Sequence, residues 1–349
     1  MTVVVSTSVF AQLPAKIDAV VLDEMHRQNI VGMAVGIVRD GHIYYAMGYG
    51  YEDLQQIKPV TTHTIFRWGS VSKTLTATAA LMLAEENPAF SLDDSVTEHV
   101  NYWPTDNNKG DIRIKHLLSH RSGIVHYRKT KGCFENPYPD FDRRRHPDKL
   151  FNAPQSVAVF KDQKLCFDPG ASYRYSTFGY SLLGAAIEGA AGTSYADWIR
   201  ESIQIPLGMG SLQQASGIRT GFDMEANRLK EVTLGNAAWR LPGGGWESNI
   251  LDLAKFANGL LQGSLLSNTN RLWTTVPGNP SYGYGVKYTH DKSHVWHEGM
   301  HFNSRAILYL VPGSADRPGI VIMTNSVHSK PMRIARRLER LLTSAERTY

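Results

Sequence analysis

The chain is poor in the features that would place it outside the globular enzymes. It has two cysteines in 349 residues, which excludes a disulfide-framework scaffold. Neither Cys133 nor Cys166 stands in a C-x-x-C, so a redox or cysteine-ligated metal centre is not indicated. The pair allows one disulfide in an oxidising compartment or two inert buried thiols. No apolar run approaches the roughly 20 residues that span a bilayer, which argues against stable membrane insertion. Charge of one sign is also scarce, with 37 basic residues against 32 acidic. The short run Arg143-Arg144-Arg145 reads as a solvated face, and without a basic stripe or reader motif nucleic acid is not an expected partner. Low-complexity tracts are missing, and 42% hydrophobic content supports a large core in two lobes.

The N-terminus, "TVVVSTSVFAQ", has a short apolar run and small residues near Val9-Phe10-Ala11 but lacks a basic start. Residues 1–12 read either as the tail of a secretory signal, implying a periplasmic or secreted protein, or as an ordinary terminus, which leaves the cytoplasm open.

Ile17, Val21 and Met25 recur at helical spacing. "GMAVGIVRDGHIYYAMGYG" turns about Asp40-Gly41 as a hairpin. In "RWGSVSKTLTATAALMLAEE", Leu75, Ala79, Met82 and Leu83 predict the buried face of a second helix. Residues 87–236 shift to helical segments between Pro-, Gly- and Asn-rich loops, of which "CFENPYPDFDRRRHPDKLFNAPQ" is placed to wall a cleft. Then come the helix "NILDLAKFANGLL", four β-like runs and a final amphipathic helix. The expected fold is α/β (α+β). Residues 13–86 and 237–345 build one lobe around an antiparallel sheet, and 87–236 an all-helical lobe.

Two motifs compete for the chemistry. His297-Glu298-Gly299-Met300-His301 matches the H-E-x-x-H of zinc proteases, which need both histidines one turn apart on a helix. Here Gly299 interrupts the turn and the flanks are β-rich. A third ligand is also missing: the positions a longer zincin pattern needs hold Ser304 and Ile307, and no glutamate follows before Glu339. Asp316 and His328 would have to be recruited from other turns. No metal or organic cofactor is expected.

The second motif is Ser70-Val71-Ser72-Lys73. At i and i+3 of a helix start the two side chains share a face, and the helix dipole there disfavours a protonated lysine. That is how a lysine becomes a base near neutral pH. Tyr175-Ser176-Thr177 precedes the helix "GYSLLGAAIEG", and His297-Glu298-Gly299 lies on a late strand, where glycine would let a substrate backbone approach.

In this order the three motifs resemble those of the serine β-lactamases, penicillin-binding proteins and their relatives. "FRWGSVSKTLTA", "HLLSHRSGI", "PGASYRYSTFGYSLLG" and "PGGGWESNILDLAKFANGLL" extend the likeness over nearly the whole chain. It is strongest to the class C-like branch of DD-peptidases, D-residue peptidases, family VIII esterases and mitochondrial β-lactamase-like proteins. The resemblance implies Ser70 as the acylated nucleophile, Lys73 as its base and Tyr175 as proton donor. His297 would fill the third-motif position and donate to a substrate carboxylate or to the tyrosine. The oxyanion hole would be the backbone N–H groups of Ser70 and Met300, each worth about 3 to 4 kcal/mol in the transition state. Thr177, Glu298 and Gly299 would line the substrate site, although Thr177 replaces the family's asparagine and Glu298 its threonine or serine. Strand alternation turns Glu298 away from His297. A small-molecule or peptide substrate follows: an amide or peptide first, a short acyl ester second, and a stalled penicillin sensor third.

Overall fold

The computed structural model describes residues 7–127, 133, 150–217, 219–279, 281–314, 316 and 318–346. The arginine run and most of the stretch expected to wall the cleft lie outside these residues, as do residues 1–6. Helix α1 (Thr7–Gln28) leads into β1 (Gly32–Arg39) and β2 (His42–Gly50). Between the strands Asp40 and Gly41 take φ of 51° and 82°, the left-handed pair that a two-residue hairpin requires. Then follow β3 (Phe66–Arg67), α2 (Ser72–Glu86), α3 (Ile114–Leu118), α4 (Ala153–Ala158), α5 (Thr177–Ala191) and α6 (Tyr195–Ile199). Short strands β4 (Gln213–Gln214), β5 (Arg219–Glu225) and β6 (Arg228–Leu234) precede α7 (Leu241–Gly244), β7 (Trp246–Ser248) and α8 (Ile250–Gln262). The chain closes with β8 (Lys287–Tyr288), β9 (Val295–His301), β10 (Ser304–Leu310), β11 (Gly319–Thr324) and α9 (Pro331–Glu346).

The main sheet has the order β2-β1-β11-β10-β9-β8 and is antiparallel throughout. The two ends of the chain meet inside it, where β1 pairs β11 from Met33↔Thr324 to Val38↔Gly319. Its strands read as nearly continuous apolar runs because both faces are covered. Val35, Ile37, Ile307, Tyr309 and Ile322 pack with Ile17, Val21 and Leu338 of α1 and α9. The alternate residues Ala34, Val38, Leu308, Val321 and Met323 join the core that holds Leu253 and Ala257 of α8.

Helix α2 was expected to bury one face, but every residue from Ser72 to Leu83 is buried. It is wedged between the sheet lobe and the helical lobe, against α5 and α7; a helix enclosed on all sides has no solvent face to pattern. Truncating its Leu75, 0% exposed, to alanine would cost about 2–5 kcal/mol.

Two stretches depart from the all-helical expectation for 87–236, the first being β4, which pairs with β7. Residues 219–234 form the hairpin β5–β6, turned by Ala226 and Asn227 at φ of 48° and 62°. Cys133 and Cys166 are joined as a disulfide with Cα atoms 5.0 Å apart. No helix among the described residues is long and apolar enough to cross a membrane.

Candidate active site

Strand β3 delivers the chain to Trp68, whose indole donates to Ser248 Oγ at 2.8 Å, and a single 3-10 turn, Gly69–Val71, carries Ser70 into α2. This turn lies backbone to backbone against β9. A Cβ on Gly69 (φ 52°) would sit 2.8 Å from Met300 N, and one on Gly299 would fall 1.8 Å from the Trp68 carbonyl and 3.3 Å from Ser70 N. Gly299 is therefore required by the protein's own close approach, not by a substrate strand as expected. The same approach brings the amides of Ser70 and Met300 into one neighbourhood.

Ser70 is partly exposed, whereas Lys73 is fully buried. Lys73 Nζ lies 3.2 Å from Ser70 Oγ, 3.2 Å from Thr177 Oγ1 and 2.5 Å from the Gly243 carbonyl. No carboxylate is among these partners. Burial, with the Arg240 charge second, holds the Lys73 amine well below its usual range. A neutral amine has two N–H groups and one lone pair. It can donate to Gly243 and Thr177 and accept from the Ser70 hydroxyl, so the three contacts match its capacity.

Tyr175 stands two residues before the start of α5, whose first turn is capped by Ser176 Oγ accepting from Gly179 N at 3.0 Å. Its ring lies 4.7 Å from Lys73 Nζ and 4.2 Å from the His120 ring. Burial pushes the phenol far above its usual range, and a hydrogen bond with Ser70 works the other way. Thr177 was expected to line the substrate site. The structure instead buries it to 2% exposure with its hydroxyl turned to Lys73, so it serves the lysine.

His297 also differs from expectation. Both ring nitrogens are engaged: Nδ1 with the Glu298 carbonyl at 2.9 Å and Nε2 with Tyr282 Oη at 3.2 Å. Tyr282 Oη meets His120 Nε2 at 3.0 Å, and His120 Nδ1 accepts from the Ser176 amide at 3.2 Å. One assignment satisfies all four contacts. Ser176 N–H donates to His120, His120 Nε2–H to Tyr282, Tyr282 O–H to His297, and His297 Nδ1–H to the Glu298 carbonyl. Burial above all lowers His297 to about 3; it is a neutral link between the second and third motifs, and its one N–H is taken by the Glu298 carbonyl.

Glu298 and Met300 alternate with His297, Gly299 and His301 along β9. Glu298 therefore points to the opposite face, where its charge acts on Arg305. His297 and His301, four residues apart on a strand, stand roughly 13 Å apart at 3.3 Å per residue, too far to share an ion. Among the described residues no group of three or more His, Cys, Asp or Glu could hold a metal.

Sequence reasoning passed over Arg240, which is 6% exposed. Its guanidinium donates to Tyr127 Oη at 3.0 Å and to His301 Nε2, between the Tyr127 and Trp239 rings at 5.3 and 5.4 Å. His120, Tyr282 and the Gly243 carbonyl were also missed, although His120 lies in "HLLSHRSGI" and Gly243 in "PGGGWESNILDLAKFANGLL".

An antiparallel sheet flanked by helices, a helical lobe, and a Ser-x-x-Lys pair at the helix start between them define the β-lactamase/transpeptidase class of folds. The chain belongs to the Beta-lactamase family, whose model matches residues 17–344. It is 26% identical over 324 residues to the human "Serine beta-lactamase-like protein LACTB, mitochondrial", covering 70% of this chain and 59% of that one. The chain thus spans little more than half the length of that relative. Among solved structures, the octameric penicillin-binding protein homologue from Pyrococcus abyssi matches with TM-score 0.75 and 26% identity over 95% of this chain and 77% of that one. The D-amino acid amidase from Ochrobactrum anthropi SV3 shares the fold, with TM-score 0.79 and 21% identity over 96% of this chain and 99% of that one.

Proposed function

We propose that the protein is a serine hydrolase that forms an acyl-enzyme on Ser70 and cleaves amide bonds in peptides or small amides. The observation that carries this reading is the buried Lys73, free of carboxylates and touching Ser70 Oγ at 3.2 Å. As an amine it takes the hydroxyl proton while Oγ adds to the substrate carbonyl. The developing oxyanion is held by the N–H groups of Ser70 and Met300. Tyr175, kept protonated by burial and hydrogen-bonded with Ser70, gives its proton to the leaving nitrogen and regains the one that Lys73 took from Ser70. The acyl-enzyme is then cleaved by water along the reverse proton path. An amine leaves only when protonated, so the step needs a donor that still holds its proton at neutral pH, as the buried phenol does. The amidase of the same fold supports the choice of amides.

A carboxylesterase acting on short acyl esters is the second reading, favoured by Thr177, whose hydroxyl is engaged with Lys73 and leaves the second motif without an amide-holding side chain. Wild type and Ser70→Ala are incubated with a D-alanyl peptide, p-nitrophenyl butyrate and fluorescent penicillin, while turnover and intact mass are followed. Ser70-dependent release from the peptide supports the amidase; ester turnover alone supports the esterase. A stable adduct without turnover marks a penicillin sensor. Activity that survives Ser70→Ala overturns the serine assignment.

A further inference from the structure

We infer that Arg240 is a positioning residue for this chemistry: a fixed, buried cation that holds Lys73 in its amine form. The inference rests on the reading of Ser70 as nucleophile. Arg240 and Lys73 reach adjacent glycines of the same turn. Arg240 is the residue immediately before α7, and its Nε would lie 3.8 Å from a Cβ on Gly244; Lys73 Nζ donates to the carbonyl of Gly243 at 2.5 Å. Both side chains are more than nine-tenths buried. Among the described residues no carboxylate forms an ion pair with either, and Arg240 Nε has no partner.

Two desolvated cations, neither ion-paired to a carboxylate among the described residues, are costly together, and an arginine stays charged in a protein. The lysine therefore carries the adjustment. The surroundings of Arg240 accommodate its permanent charge without neutralising it, through the π faces of Tyr127 and Trp239 and the acceptors Tyr127 Oη and His301 Nε2. The other groups facing Lys73 supply no compensating anion. Tyr175 and Tyr180 present their rings, at 4.7 and 5.6 Å from Nζ, Ser70 and Thr177 present hydroxyls, and His120 and His297 are buried and held uncharged. Arg67, on which the Arg240 charge also acts, is matched by Glu247 at 3.6 Å.

The test follows the rate of Ser70 phosphonylation by a fluorophosphonate probe from pH 5 to 10, read by intact mass on the full chain. Arg240→Met and Arg240→Gln are expected to move the acid limb of the rate upward by about one pH unit, and Arg240→Lys to keep it near the wild-type position. Tyr127→Glu, which sets a carboxylate against the guanidinium, produces the same upward movement with Arg240 in place and serves if the neutral variants do not fold. A merely structural arginine would lower the rate at every pH and leave the limb where it was; that result in any folded variant overturns the inference. Equal labelling of Ser70→Ala would instead remove the reading on which it rests.

Discussion

Tyr282→Phe removes one oxygen from the centre of the chain that runs from Ser176 to Glu298. Tyr282 is 1% exposed, so no solvent replaces what is lost. His120 Nε2–H loses its acceptor at 3.0 Å and His297 Nε2 its donor at 3.2 Å. Each orphaned buried group costs about 1–3 kcal/mol, and the variant is relieved of burying one hydroxyl. A net loss of about 3 kcal/mol is the central expectation. Unfolding entropy of about 2.1 cal/mol/K per residue over 349 residues comes to about 0.7 kcal/mol/K, so the melting temperature should fall by about 4 °C. The control is Tyr288→Phe. Tyr288 is equally buried, at 2% exposure, but its hydroxyl has no partner among the described residues, and its removal should be neutral or stabilising. Differential scanning calorimetry at pH 7.5 on both variants makes the comparison. Equal shifts for the two, or no loss in Tyr282→Phe, would falsify the directional chain.

Lys73→Met should lower Ser70 acylation by about 10²–10⁴-fold without loss of melting temperature, since it removes a buried amine whose charged form is already unfavourable; a stopped assay with the fluorophosphonate probe reads this, and a rate within threefold of wild type contradicts the base role. Gly299→Ala forces a methyl to within 1.8 Å of the Trp68 carbonyl. Acylation should be abolished and stability reduced by about 1–3 kcal/mol or more, measured by urea titration; a stable, fully active variant would contradict the backbone contact. Stability should also fall in mild acid. His297 and His116 are lowered to about 3 and about 4, and His120 is lowered as well, so below an unfolded value near 6.5 the unfolded chain binds the extra protons. The melting temperature should decline from about pH 6.5 towards 4 through the histidines, and rise above pH 7 towards the unfolded lysine value of about 10.4, because Lys73 is held as an amine only in the folded chain. His297→Gln should make that decline shallower, and a curve unchanged by it would remove His297 from the balance.

Features that depend on near neighbours in sequence were legible. Asp40-Gly41 announces its hairpin because only left-handed φ values close a two-residue turn, and Ser70 and Lys73 share a face by helical spacing alone. The strand at His297 was equally local: Val295 and Trp296 before it and Gly299 after it favour extended chain over helix. Features set by register across distant strands were not legible. Arg240 reaches Tyr127 and His301, and His120 and Tyr282 reach His297, only after distant segments converge, and each looks in sequence like an ordinary core or surface residue. Helix α2 gave too weak a signal for the opposite reason: its Thr, Ala and Leu residues are buried all round, so no polar face revealed that it sits at the centre. The β5–β6 hairpin was hidden by Asp223, Glu225, Arg228, Lys230 and Glu231, whose charges obscure the shared face of Phe222, Met224 and Leu229.

Helix α2 carries Lys73 and follows directly on Ser70, and it is enclosed by both lobes. Its amides can reach solvent only when the lobes part, so their hydrogen exchange should proceed through global opening and be among the slowest in the chain. In denaturant, catalytic competence and tertiary structure should then disappear at one midpoint, leaving no partly unfolded species that can still be acylated.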